Sequence, residues 1–365
     1  MLVPYIDLHS QFKDPKLHQE IIDILKKCQF ILGEAVDRFE KDFATLCGTR
    51  YALGLNSGTD ALFLVLKALG IGQGDEVITV SNSFVATAGS IVAAGAKPVF
   101  VDVSPDYNMN PELIEVALTT NSKAVVPVHL TGNPADMQQI CNIAKRNDLF
   151  VIEDAAQAVM ASIGEKVVGS FGKAGCFSLH PLKNMNVAGD GGMITTDSKE
   201  LYQKLKKLRN HGLKNRDEIE FFGYNSRLDT LQATIANHVL KTLESVIEKR
   251  KKNAAIYDKE LSDLNNDVIL PPKRKNIKQV YHTYVIQTKK REDLIRFLQE
   301  HDVETKIHYP IPIHLQKPCK ELGYRKGDFP VCEEQAELIL SLPVHQYLSN
   351  EQIHYVAKLI NKFYR

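Results

Sequence analysis

The sequence carries almost no net charge. Its 45 Lys and Arg residues offset 44 Asp and Glu, leaving +1. That removes the main electrostatic drive toward nucleic acid or an anionic membrane surface, so neither is expected as a partner. No run approaches the roughly 18 consecutive apolar residues that a spanning helix needs. The start, Met1 to Asp7, lacks a basic stretch followed by an apolar one. No secretory signal is therefore expected, and a cytoplasmic location is. The six cysteines, at positions 28, 47, 141, 176, 319 and 332, include no Cys-x-x-Cys pair. Zinc sites and thioredoxin-like redox motifs depend on such pairs, so no metal is expected and reduced thiols are the simple reading. Two nucleotide signatures are also missing. No Gly-Lys-Ser/Thr follows the first strand, so there is no P-loop. Gly70-Ile71-Gly72-Gln73-Gly74 lacks the third glycine of a dinucleotide fingerprint and ends a helix instead of opening one. Fixed-period repeats and low-complexity tracts are absent.

What is present reads as an ordinary globular chain. Apolar residues make up 44% and charged residues 24% of 365 positions, enough for a sizeable core and about two domains. Strand-like runs occur at Tyr51 to Leu55, Val77 to Val80, Pro98 to Val103, Ala124 to Leu130 and Phe150 to Glu153. Helix-like stretches separate them: Thr59 to Leu69, Ala86 to Ala94, Pro111 to Leu118 and Ala135 to Arg146. The alternation predicts a mostly parallel sheet with helices on both sides. Shorter runs follow at Gly175 to His180 and Met193 to Thr196. The pattern then changes. Leu231, Ile235, Val239, Leu243 and Ile247 mark one long helical stretch toward Asp263. The tail reads as a smaller α+β lobe, with strands at Tyr284 to Thr288 and Glu304 to His308 and a helix at Glu292 to Glu300. In the last helix, Ser349 and Gln352 form a capping box, and Ile353, Val356, Ile360 and Phe363 share a face.

Ligands of a parallel sheet bind at the carboxyl ends of its strands, so the residues after each strand matter most. Asn56-Ser57-Gly58-Thr59-Asp60 opens a helix after the first strand. Its free N–H groups suit a phosphate, though Ser57 also fits as a plain N-cap. Phe84, after the second strand, can stack on a flat ring or fill a core. Asp154 ends a buried apolar strand, where a carboxylate is costly unless paired. A protonated ring nitrogen would serve it, and so would a following helix start. Lys183 lies between Pro181 and the turn Gly189-Asp190-Gly191-Gly192. A partly desolvated amine there could form a Schiff base.

Taken in order, these residues resemble the pyridoxal-phosphate (PLP) nucleotide-sugar aminotransferases of the DegT/DnrJ/StrS type. The likeness runs almost end to end. It includes Gln29 to Gly33 with Phe39-Glu40, Asn56 to Leu62, Phe84 to Ala88 and Glu153 to Gln157. It continues through Phe177 to Gly192, Arg209-Asn210-His211-Gly212, Gly223 to Arg227, His308 to Pro312 and Leu342-Pro343. The resemblance implies an α/β fold of the PLP transferase fold type I. Residues 1–245 would form a large domain around a mostly parallel seven-stranded sheet, and 246–365 a smaller α+β domain. It implies that Lys183 holds PLP as a Schiff base and then moves the proton. Asp154 would pair with the pyridinium nitrogen, Gln157 would bond the ring hydroxyl, and Phe84 would stack on the ring. Gly58, Thr59 and Ser178 would hold the phosphate. Asn225 would reach the phosphate in a neighbouring subunit, making a homodimer with shared sites.

The implied reaction is ping-pong. An amino acid, expected to be glutamate, gives its amine to the cofactor, which then aminates a 3-keto or 4-keto deoxysugar linked to a nucleotide diphosphate. His180, Arg227, His308 and the Arg209 to Gly212 turn are candidates for substrate contact. Related sugar dehydratases carry His in place of the lysine, so Lys183 favours transamination. A dehydratase, a cyclitol aminotransferase and a non-enzymatic regulator are the alternatives. A regulator would be expected to have lost Lys183 or Asp154.

Overall fold

A computed structural model describes residues 1–365. In chain order the strands are β1 (Tyr51–Leu55), β2 (Glu76–Val80), β3 (Lys97–Val101), β4 (Ser122–Val125), β5 (Phe150–Asp154), β6 (Ser162–Ile163), β7 (Lys166–Val167), β8 (Ala174–Ser178), β9 (Gly192–Thr196), β10 (Ile277–Lys278), β11 (Tyr284–Gln287) and β12 (Ile339–Leu342). Seven of them form one sheet in the order β1-β9-β8-β5-β4-β2-β3. Only β9 runs against its neighbours. The expected mostly parallel α/β sheet is therefore present. β2 and β9 are buried along their whole length, as strands covered on both faces by helices should be. On one side, Phe39, Phe43, Phe177 and Leu228 belong to one apolar cluster. On another, the helix Gly58–Ala68 buries Ala61, Leu62, Leu64, Val65 and Leu66 against the sheet.

A second, two-stranded sheet pairs β11 with β12. Its cluster joins Tyr257, Tyr284, Leu294 and Ile353, and also takes in Val3 from the start of the chain. The C-terminal helix, Asn350–Tyr364, has the expected Ser349/Gln352 capping box, with Ile353, Val356 and Ile360 buried.

Three expectations are corrected. The stretch expected as one helix through Leu231 to Ile247 is two, Thr230–Leu240 and Leu243–Glu260. At the break, Thr242 N and Oγ1 both donate to Val239 O, a local bond that competes with the helical ladder. Ile235, Val239, Leu243 and Ile247 still share one cluster across it, which is why periodicity missed it. Pro111 to Leu118 yields only a single 3-10 turn, Pro111–Leu113. Val116 points out at 82% exposure, so no apolar face sustains a helix there. Glu304 to His308 is not a strand and makes one bridge, Lys306 to Ser341. The partner of β11 is β12, which follows a helix directly with no turn residue to announce it.

Candidate active site

A cavity of about 360 Å³ opens at the carboxyl edge of the sheet. Ser57 after β1, Phe84 after β2, Val128 after β4, Asp154 at the end of β5 and Ser178 at the end of β8 all line it. This is where strand order and strand direction put a ligand site in a parallel sheet.

One end is built for an anion. The helix Gly58–Ala68 begins there, with Ser57 Oγ accepting from Asp60 N at 3.0 Å. That bond caps one of the first N–H groups. Those of Gly58 and Thr59 find no acceptor in the chain, and the helix dipole adds partial positive charge. Gly58 is required by close approach: a Cβ there would lie 2.7 Å from Ser178 Cβ. Gly192 does the same for β9, where a Cβ would come within 2.1 Å of Ser57 O. Backbone thus replaces side chains around the cradle.

Glu153 and Asp154 are neighbours on a strand and so face opposite ways. Glu153 is fully buried away from the cavity. Its Oε1 accepts from Phe171 N (2.7 Å) and Gly172 N (2.8 Å), and its Oε2 from Gly169 N (2.7 Å). His129 completes the set. Its Nδ1 accepts from Ala135 N at 3.0 Å, so Nε2 carries the proton and donates to Glu153 Oε2 at 3.1 Å. Asp154 faces the cavity. Burial raises its pKa, against the opposing effect of bonds from Thr87 Oγ1 (2.7 Å) and Ala156 N (3.2 Å). No helix starts after β5, so Asp154 is not a helix cap. Its charge has no full counter-ion and can still take a cation.

Lys183 lines the same cavity, and burial lowers its amine from 10.5 to about 8, partly offset by Asp154. Gln157 is held by its Oε1, which accepts from Thr131 N at 2.7 Å. Its Nε2 is left as the donor toward the cavity, with Tyr309 Oη at 3.4 Å. Phe84 is 54% exposed and tilts against Tyr309 with ring centroids 5.9 Å apart. It forms a wall and is not a core residue. His180 and His308 also line the cavity, and desolvation lowers both, His308 to about 4.

Three sequence candidates are not brought there. Asn225 is exposed outside the cavity. Arg227 also lies outside, with Nη1 donating to Asn210 Oδ1 at 3.0 Å. Arg209 of the proposed turn is buried in an ion pair with Glu40 and cannot meet a substrate. Sequence reasoning gave no role to Thr87, Thr131 or Arg250. Thr87 lay inside a quoted motif, but nothing in its spacing from Asp154 announced the contact.

The donors fit pyridoxal phosphate. An anion cradle, a charge-hungry carboxylate, an amine near neutrality and an aromatic wall surround one cavity of suitable size. Fold and cavity together define the fold type I class of PLP enzymes. The model of the DegT/DnrJ/EryC1/StrS aminotransferase family matches residues 12–361, and the chain belongs to that family. It is 42% identical to a protein of Acidithiobacillus ferrooxidans named UDP-N-acetyl-3-dehydro-alpha-D-glucosamine 3-aminotransferase, over 99% of this chain and 97% of the relative. It is also 42% identical to a Geobacillus stearothermophilus protein named a pleiotropic regulatory protein, over 100% of this chain and 99% of the relative. The crystal structure of DesV from S. venezuelae in complex with a ketimine intermediate superposes with a TM-score of 0.97 at 36% identity, covering 99% of this chain and 98% of that one.

Proposed function

We propose that this protein is a PLP-dependent nucleotide-sugar aminotransferase working by a ping-pong mechanism. It takes the amine of L-glutamate and delivers it to the keto group of a nucleotide-linked sugar. Lys183 and Asp154 facing one cavity at the sheet's carboxyl edge carry this reading. The 3-aminotransferase among the relatives favours a keto group at C3 over C4.

When bound, the cofactor supplies the electron sink that lets a proton leave and return next to nitrogen. The chain does the rest. Gly58, Thr59 and Ser178 hold the phosphate. Asp154 keeps the ring nitrogen protonated, and Gln157 Nε2 donates to the ring hydroxyl. Phe84 closes one face. Lys183 Nζ would bind the cofactor and take and return the proton, and the burial that lowers its amine to about 8 in the cofactor-free chain favours the neutral, basic form. His180 and His308, both held neutral, offer hydrogen bonds to the substrate without adding charge.

Asn225, exposed outside its own cavity, fits a contact to the cofactor phosphate of a second subunit, and we infer a homodimer. Six free cysteines suit the reducing cytoplasm. The regulatory name of one relative does not favour a binding-only role here, since Lys183 and Asp154 are both retained. The test supplies PLP-loaded protein with L-glutamate and a UDP- or dTDP-linked 3-keto sugar. Equal yields of 2-oxoglutarate and amino sugar are expected. A deoxygenated sugar without nitrogen would replace this reading with dehydration.

A further inference from the structure

Arg250 comes from the helix Leu243–Glu260 and lines the cavity, although only 4% of it is exposed. No carboxylate pairs with it. Its Nε donates to Gln346 Oε1 at 3.1 Å, and its Nη1 to the carbonyls of Tyr281 (3.1 Å) and His282 (3.2 Å). Its Nη2 has no acceptor in the chain. A buried guanidinium without a counter-charge is costly, and an entering anion relieves that cost.

Two more unsatisfied groups adjoin it. Thr283 Oγ1, on a residue 3% exposed, and His282 Nδ1 are buried with no hydrogen-bond partner, and both residues line the cavity. They sit on the very stretch whose carbonyls Arg250 holds. The charged and titratable groups near them are Lys183, His180 and His308 around His282, and Tyr5, Tyr347 and His345 around Arg250. None is an acid that could neutralise the guanidinium. The phosphate cradle is made by other residues of the lining, Gly58, Thr59 and Ser178.

We propose that Arg250, Thr283 and His282 form a seat for a compact carboxylate, that of the amino-acid donor. The proposal rests on the aminotransferase reading for the identity of the donor. The unbonded guanidinium nitrogen, the Thr283 hydroxyl and the His282 ring in the tautomer with its proton on Nδ1 are all donors, and a carboxylate is a pure acceptor. The same groups can bond sugar hydroxyls in the second half-reaction, which lets one cavity serve an acid and a sugar in turn. An acidic group on the sugar itself is the other source of such a carboxylate.

The test titrates PLP-loaded protein calorimetrically with glutarate, a dicarboxylate with no amine to transfer. Wild type should bind it, Arg250→Gln should lose about tenfold or more in affinity, and Thr283→Val should lose a smaller factor. In single turnovers the apparent affinity for glutamate should fall in step, while that for a neutral keto-sugar changes less. Unchanged glutarate affinity in both variants would overturn the proposal. A loss confined to the keto-sugar half-reaction would overturn the donor assignment in favour of the sugar. If Arg250→Gln does not fold, Thr283→Val keeps the side-chain shape and decides. Wild type that binds glutarate through Arg250 but leaves glutamate unreacted would count against the aminotransferase reading and leave the carboxylate seat standing.

Discussion

Thr87 Oγ1 donates to Asp154 Oδ2 at 2.7 Å, and Ser83 Oγ lies 2.7 Å behind Thr87 Oγ1. The hydroxyl pair fixes the carboxylate from the start of the helix Ala86–Ala94. It also holds down the pKa that burial raises. Asp154→Ala should retain some cofactor but cut turnover by about 10²–10³-fold. Thr87→Val should lower turnover by about tenfold, the scale of one hydrogen bond to a charge. Steady-state kinetics with saturating PLP measures both, and an unchanged rate in Asp154→Ala would remove its role at the ring nitrogen.

The lowered pKa of Lys183 sets a pH dependence for cofactor capture. Only the neutral amine attacks the PLP aldehyde. With the amine at about 8 in cofactor-free protein, the neutral fraction falls about tenfold per unit below that pH. The rate of PLP uptake by stripped protein, followed by its visible band, should rise through pH 7 and level off above pH 8. An ordinary lysine would still be rising at pH 10.

Glu153 is a matter of stability. Its carboxylate accepts three backbone N–H groups and the His129 ring in full burial. Glu153→Ala strands all four donors and should destabilise the fold by about 3–5 kcal/mol. Urea unfolding of the cofactor-free protein measures this. A loss below about 1 kcal/mol would mean that water replaces the carboxylate.

If Asn225 completes a partner's site, dilution should weaken cofactor binding along with dimer dissociation. Asn225→Ala should weaken PLP affinity while leaving the dimer intact. A fully loaded and active monomer, measured by light scattering and activity on the same dilution series, would contradict the shared site.

The strands of the seven-stranded sheet and the ligand edge were legible in the sequence because period and position carry them. Tyr51 to Leu55 and Ala86 to Ala94 match the structure to the residue. The Asp154 and Lys183 cavity was legible because each ends or follows a strand. Other features were not. Thr242 breaks a helix under an apolar seam that continues unbroken. β12 lacks a preceding turn signal. Thr87, Thr131 and Arg250 act through contacts between segments far apart in sequence, such as Thr131 with Gln157 and Arg250 with Gln346. No local pattern encodes such pairs.

The central claim is that Lys183 carries the cofactor and passes the proton in amine transfer. The visible spectrum of PLP-loaded protein before and after L-glutamate, beside Lys183→Ala, tests it most directly. Wild type should show a yellow band that bleaches on adding glutamate, and Lys183→Ala should show neither the protein-bound band nor turnover. A variant that stays yellow and bleaches like wild type would contradict the account.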